Sequence, residues 1–522
     1  MEAKNIAHSI NDNVGKTTRE KVRKTLTAEL FFGVCAPIGS LKLEVIERLK
    51  RIISEKYGYE VVPLKLSDYI EEFKTSDYTP KKEHTSAFSK LTYKIEEGNN
   101  IRRKYGNNSI LTELAIQEIY LKRLEDNGVN DVNDLNPTNI KSFRKCYIFD
   151  SIKNREELLL LRRIYTKNFF LFSIFSPLNE RKKNLLEKDL SQSEVDYIVD
   201  RDDYENNDFG QNVRGTFVDG DFFLRVSEKN LNELDEKIER YLHLIFESDI
   251  ITPLIEETAM YSAKSAAGNS ACLSRQVGAS ITNVEGDLIS TGWNDVPKFG
   301  GNLYREGSIL DMRCKIKEYC SNDKQKDLLV ESVLKSIKDD EKLNKILRDD
   351  EGKYSIEIAE RLKKNLRSSK IKDLIEFSRS VHAEMHAIIS GSQLSGSKMI
   401  GGKLFCTTYP CHNCARHIIV AGIKEVYYIE PYVKSLCLTL HDDAITEDEK
   451  DDRKVKILIF DGVAPRNYLT FFTNFAERKN NGNLVKVDFK KVFPKASKSL
   501  QALPTLEQQA IHSLKECGLN DQ

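Results

Sequence analysis

The sequence predicts an α/β protein of two domains, on three observations. Its 522 residues exceed what one hydrophobic core supports, at roughly 150 residues per domain. Strand-like apolar runs alternate with amphipathic segments, the pattern of a parallel sheet with helices on both faces. That pattern restarts near residue 252, after a helical stretch over 229–247. The division expected is an extension over 1–27, a first domain over 28–250, a second over 251–480 with an insertion at 298–380, and a tail over 481–522.

Taken in order, residues 28–38 form an apolar run ending in Pro37 and Gly39, hence a strand and a turn. Leu43, Ile46, Leu49, Ile52 and Ile53 then recur at helical spacing until Gly58, a stop signal. A strand over 59–64 follows. Helices over 108–126 and 155–167 bracket a strand at 146–150, and Phe169–Phe175 reads as another, buried strand. The segment 181–215 is rich in charge and asparagine and reads as a solvated surface loop. In the second domain 404–408 and 426–429 are central strands, and the insertion is hydrophilic and helical.

Composition narrows the function classes. With 40% hydrophobic and 31% charged residues, and 80 basic against 80 acidic side chains, the chain reads as globular rather than disordered or membrane-embedded. It lacks the cationic excess that counterion release rewards on phosphate backbones, so long nucleic acid is not the expected substrate. No run approaches the roughly 18 apolar residues of a membrane span. Glu2, Lys4, Asp12, Lys16, Arg19, Glu20 and Lys21 leave no room for a signal-peptide apolar region, which gives a cytoplasmic expectation. Ten cysteines in such a chain are expected as thiols or metal ligands.

Cys411 and Cys414 form the close pair. Pro410-Cys411-His412-Asn413-Cys414 and His382-Ala383-Glu384 each sit at an expected helix start. Two thiolates separated by two residues reach one ion from a first helical turn, and an imidazole from a neighbouring helix adds a third ligand. Three ligands leave a fourth position open, as catalytic zinc needs in order to bind water and bring its pKa to about 7. Helix dipoles favour thiolate over thiol at such positions. Glu384, two residues past His382, can point at the water and take its proton. The other reading is a closed structural site with Cys406 or His412 as fourth ligand, in which a glutamate at that spacing has no use. His386, His417 and Cys437 receive no role.

The pairing of H-x-E with P-C-x-x-C is similar to the signature of the zinc-dependent deaminases. Upstream, Cys272-Leu273-Ser274-Arg275-Gln276-Val277-Gly278-Ala279-Ser280-Ile281, a turn at 285–287 and the strand end Gly292-Trp293-Asn294 resemble the first hairpin of the deoxycytidylate deaminases. That resemblance covers about 252–430 and implies a three-layer α/β/α cytidine deaminase fold with bound Zn2+. It carries Asn294 over as a deoxyribose contact, against the plainer role of capping a turn. Residues 428–435 and 461–468, with the first domain, look like the bacterial anti-phage dCTP deaminases, which pair a P-loop kinase-like domain with a deaminase domain and deplete cytosine deoxynucleotides. Lys434 and Arg466 are the candidates for the phosphate tail, since a triphosphate needs fixed cations; the plainer reading is ordinary surface charge. Cys314 and Cys320 are candidates for a second, structural zinc such as some deoxycytidylate deaminases hold, although no further ligand is evident beside them.

In the first domain, Gly33-Val34-Cys35-Ala36-Pro37-Ile38-Gly39-Ser40-Leu41-Lys42 sits between a strand and a helix, where a phosphate-binding loop belongs. With Gly39 as the second glycine, Ser40 occupies the lysine position and Leu41 the hydroxyl position, and Lys42 arrives two places late. Gly33, Pro37, Gly39, Ser40, Lys42 and the strand-ending Asp150 are the candidate nucleotide-binding residues, with efficient phosphoryl transfer not expected. Residues 98–106 and 149–157 also resemble nucleoside-phosphate kinases, so the first domain is expected as a P-loop kinase-like parallel sheet.

The function expected is deamination of free cytosine deoxynucleotides, dCTP and also dCMP, with the first domain as regulator through a nucleotide, phage or RNA signal. A dCMP deaminase of pyrimidine salvage and a nucleic-acid-editing deaminase are the alternatives. The superfamily resemblance further implies a homo-oligomer.

Overall fold

In the computed structural model, which describes residues 26–75, 85–129, 140–203, 205, 208–432, 435–473, 478–495 and 502–519, two six-stranded sheets organise the chain. One unit comprises Met1–Pro253 with Asp461–Gln522, the other Leu254–Phe460. The expected extension over 1–27 lies almost entirely outside the described residues.

The first unit opens with β1 (Leu30–Cys35), every residue of which is buried. α1 (Lys42–Tyr57) follows and packs Val45, Ile46, Leu49, Ile52 and Ile53 inward, while Leu43 stays exposed. Gly58, at φ 67°, closes the helix in the left-handed conformation glycine adopts without strain. β2 (Glu60–Lys65), α2 (Ser86–Tyr105) and α3 (Ile110–Asp126) lead to β3 (Lys145–Asp150). α4 (Arg155–Tyr165) starts in a capping box between Asn154 and Glu157. β4 (Phe169–Phe175), α5 (Leu178–Leu186), α6 (Gln192–Asp203), β5 (Phe222–Arg225) and α7 (Leu234–Phe246) complete the run. β5, β4, β1, β3 and β2 lie side by side and all parallel. A parallel sheet is covered on both faces, which is why β1, β4 and β5 are dense in Phe and Leu, while β2 at the sheet edge alternates buried and exposed residues.

The expected surface loop over 181–215 is replaced by the end of α5 and by α6. Val195, Ile198 and Val199 of α6 are buried against Leu185 and Leu190, so an apolar stripe lies hidden among the charges.

The second unit opens with α8 (Ile255–Ala267), then β6 (Gly278–Thr282) and β7 (Leu288–Trp293). The insertion contributes α9 (Ser321–Asp339) and α10 (Ile356–Ser368). α11 (Ala383–Ser395), β8 (Lys403–Thr408), α12 (His412–Val420), β9 (Glu425–Glu430), β10 (Ile445–Thr446) and β11 (Val455–Ile459) follow. The sheet runs β10, β11, β9, β8, β6, β7, with β6 antiparallel to both neighbours and the rest parallel.

Two glycines fix the layers around this sheet. A Cβ on Gly278 would lie 1.9 Å from Ala263 O in α8, and one on Gly292 would lie 2.3 Å from Ala383 O at the start of α11. Gly278 pairs with Trp293 and Gly292 with Ala279, so the two glycines face opposite sides of the pleat. α8 therefore covers one face and α11 the other, making three layers α/β/α. Bare backbone at these positions lets each helix approach the sheet closely.

The expected boundary at 480 moves to 460. β12 (Gly462–Val463) pairs antiparallel with β5, returning the chain to the first sheet. The tail over 481–522 contains α13 (Ala502–Glu516), whose buried Glu507 accepts two hydrogen bonds from the buried Arg123 of α3, at 3.1 and 2.9 Å. Neither event leaves a local mark in the sequence, because each partner lies hundreds of residues away. Among the described residues no helix is long and apolar enough to cross a membrane.

Candidate active site

β8 ends at Thr408, and Tyr409 and Pro410 carry the chain to Cys411, the N-cap of α12. Cys411 Sγ accepts the Cys414 N–H at 3.4 Å, a capping contact more often made by a hydroxyl or carboxylate. His382 is the N-cap of α11, with Glu384 in its first turn. The two helices pack against each other.

His382 Nδ1 consequently lies 3.3 Å from both Cys411 Sγ and Cys414 Sγ, and the three donor atoms fall within 4.8 Å of one another. Tetrahedral bonds of about 2.0 Å to nitrogen and about 2.3 Å to sulfur put N and S about 3.5 Å apart, so the set fits Zn2+. Soft thiolates with one imidazole favour the same ion over hard cations.

Electrostatics within this set are tightly linked. The hydrogen bond from Cys414, and next to it that from His382, holds the Cys411 thiol down at about 4. Burial opposes charge on His382, but its bond to Cys411 prevails and raises the imidazole to about 9. Burial raises the Cys414 thiol well above its usual value. A metal taking these three donors displaces the protons on His382 and Cys414. Burial, with the Cys411 charge beside it, pushes Glu384 up to about 7.

Of the donors, His382 and Cys411 line a cavity of about 310 Å³ together with Glu384, while Cys414 is buried behind them. Asn294 is also on its wall, buried, with its amide committed to the backbone: Nδ2 donates to Arg275 O at 2.9 Å and Oδ1 accepts from Val277 N at 2.8 Å. His386 Nδ1 accepts the Trp293 N–H at 3.2 Å, which ties α11 to the end of β7. Cys406 donates to Tyr427 O at 3.7 Å within the sheet. His412 Nε2 lies 3.3 Å from Glu376 Oε1. Neither Cys406 nor His412 joins the donor set. Cys314 and Cys320 line the cavity, but among the described residues no group of three ligands within 4.8 Å includes them.

Of the two phosphate candidates, Lys434 lies outside the described residues. Arg466 belongs to the first unit, where its guanidinium donates to Asp221 Oδ1 at 2.6 Å and to Asp219 O. The cations that do line the cavity are Arg275, Lys326, Lys372 and Arg379, three of them from the insertion. Their spacing follows no motif. Only the fold brings them together.

In the first unit, Gly33 is a packing position inside β1, where a Cβ would meet Ile152 at 2.6 Å and Phe169 at 2.7 Å. Pro37 O accepts the Ser40 N–H at 3.2 Å in the turn after β1. Gly39, at φ 82°, sits against the backbone of Arg181. The amides of the turn are already engaged: Ile38 N donates to Asp202 Oδ2 at 2.6 Å and Leu41 N to Ser176 Oγ at 3.1 Å. Ser40 Oγ is buried with no hydrogen-bond partner among the described residues. Lys42 Nζ donates to Asp150 Oδ1 at 2.6 Å and to Ser151 Oγ, with burial lowering its pKa.

Residues 254–430 match the family model for the cytidine and deoxycytidylate deaminase zinc-binding region. ComE operon protein 2 of Bacillus subtilis (strain 168) is 48% identical over 54 residues, 10% of this chain and 28% of that protein. The deoxycytidylate deaminase of Enterobacteria phage T4 is 38% identical over 55 residues, 10% of this chain and 28% of that protein. The chain thus spans less than a third of the length of these relatives. The dCMP deaminase of cyanophage S-TIM5, solved with dCMP and dUMP, aligns at 20% identity over 40% of this chain and 99% of its own, with a TM-score of 0.22.

Proposed function

We propose that the second unit hydrolyses the amino group of free cytosine deoxynucleotides. The observation that carries this reading is the convergence of His382, Cys411 and Cys414 as one donor set, with His382, Cys411 and the buried Glu384 lining one cavity. The reaction exchanges the exocyclic C4–N bond of cytosine for a C4–O bond from water, releasing ammonia and leaving uracil. Zinc, when bound by the three donors, supplies a Lewis acid that lowers the pKa of a water to about 7. Glu384 takes the water's proton on a carboxylate oxygen and delivers it to N3 and then to the departing nitrogen. His386 holds the start of α11 in place through the Trp293 amide, and Asn294 fixes the loop before β6, with a remaining lone pair and N–H for the sugar. The match to the deaminase zinc-binding region over 254–430 supports the same chemistry.

The finer reading is that the substrate is dCTP, depleted in defence against phage, with the first unit as a regulatory nucleotide module. Support for a triphosphate comes from the cavity lining, where four cations face two carboxylates, Asp373 and Glu384. Support for a non-transferring first unit comes from its turn, where Asp202 occupies an amide a phosphate would use and Lys42 is paired to Asp150.

Ammonia release from dCMP, dCDP, dCTP, CTP and single-stranded DNA by the zinc-loaded full chain tests the proposal. Turnover of dCTP that disappears in Glu384→Ala supports it. Turnover of dCMP alone leaves the salvage role. Action on DNA with no free nucleotide turned over would sink the reading.

A further inference from the structure

We infer that the insertion between β7 and α11 reads the phosphate tail, through Lys372 and Arg379, and so sets which cytosine nucleotide the cavity accepts. This inference rests on the deaminase reading of the same site and assigns a specificity role to residues outside the zinc signature.

Four cations line the cavity, and their other bonds separate them into two kinds. Arg275 is paired with Glu430 at 3.0 Å. Lys326 is buried, and its ammonium donates to the backbone carbonyl of Lys372 at 2.9 Å. Lys372 and Arg379 have no carboxylate partner among the described residues; Arg379 Nη1 donates to Met312 O at 3.3 Å and has four N–H groups to spare. A cation kept without a counter-ion at a cavity rim is a place for an anionic ligand.

The segment bearing these two side chains is held rather than loose. Besides the Lys326 bond, Asn322 Nδ2 donates to Leu374 O at 3.0 Å, so α9 grips the backbone on both sides of Asp373. The same segment runs directly into His382. A nucleotide with its base at Glu384 therefore meets Lys372 and Arg379 on the strip of chain that leads to the metal donors. Asp373, which follows Lys372 in the chain, is the one acidic residue in that lining apart from Glu384. Lys326 and Asn322 are positioning residues for this strip.

The test uses the zinc-loaded full chain and compares deoxycytidine, dCMP and dCTP as substrates for the native protein, Lys372→Ala, Arg379→Ala and the double variant. Each truncation is expected to lower the ratio of kcat/KM for dCTP to that for deoxycytidine by about tenfold, through KM, with Arg379→Lys restoring part of it. Inorganic tripolyphosphate, titrated calorimetrically, should bind the native chain and lose at least tenfold in affinity in the double variant. If the ratio is unchanged, or the tripolyphosphate affinity is, the inference is overturned. If the native chain deaminates no free cytosine compound, the functional reading fails, while the tripolyphosphate titration still decides whether these two residues form an anion site.

Discussion

The backbone N–H of Ile38 donates to Asp202 Oδ2 at 2.6 Å, and the other oxygen of the same carboxylate accepts from Lys153 Nζ at 2.7 Å. Asp202, at the end of α6, thus takes both an amide and an ammonium at the turn where a phosphate is expected to bind. Asp202→Ala should free both donors, and the first unit should then bind ATP at least tenfold more tightly than the native chain. Calorimetry in the Lys372→Ala, Arg379→Ala background, which removes the cavity cations of the second unit, is the measurement. Equal affinity in the two proteins would mean the turn is no anion site.

Separating metal holding from proton transfer gives the second prediction. Glu384 lies outside the three-donor group, so Glu384→Ala should retain one zinc per chain while ammonia release falls by about 10²–10⁴-fold. Cys414→Ala removes a donor and should lose both the zinc and the activity. Zinc content by elemental analysis beside the ammonia assay distinguishes the two, and a zinc-free Glu384→Ala protein would contradict the assignment.

The third concerns the layer contact that sets the site. Gly292 faces the first turn of α11, so a methyl there must push apart β7 and the helix bearing Glu384. Gly292→Ala should cost about 1–3 kcal/mol of stability and should lower activity more than Gly401→Ala, whose added Cβ meets only Val284 and which serves as control in a positive-φ position. Denaturant titration with the ammonia assay reads both. A native-like Gly292→Ala enzyme would show that the close approach is not needed.

What the sequence made legible was local. His382, Glu384, Cys411 and Cys414 lie within two short stretches whose spacing alone puts donors on helix starts, and the fold brings them together as that spacing implies. The strands β1, β3, β4 and β8 were legible because burial on two faces leaves largely apolar runs, whereas β5, β10, β11 and β12 went unread. The pairing of Arg466 with Asp221 was illegible because nothing in Val463-Ala464-Pro465-Arg466 says that β12 returns to Phe222 and Phe223. The packing of Gly33 was illegible because a packing glycine and a loop glycine are written alike. α6 was obscured by its charges, although Val195, Ile198 and Val199 carried the helical period. Lys372 and Arg379 had no signal: two cations in a hydrophilic insertion look like solvated surface until the chain folds them onto a cavity.

The last prediction concerns pH. His243 in α7 is packed beside Tyr57 and Ser248, with Nδ1 2.8 Å from Ser248 Oγ, and burial lowers its pKa below the ordinary 6.5. The folded first unit therefore refuses a proton that the unfolded chain accepts. By linkage, the stability this provides is fully present above pH 6.5 and is lost as pH falls below it. The melting temperature of the native chain should drop between pH 7 and pH 5.5, and His243→Gln, which cannot take up the proton, should flatten that part of the slope. Parallel slopes for the two proteins would show that His243 titrates alike in the folded and unfolded states.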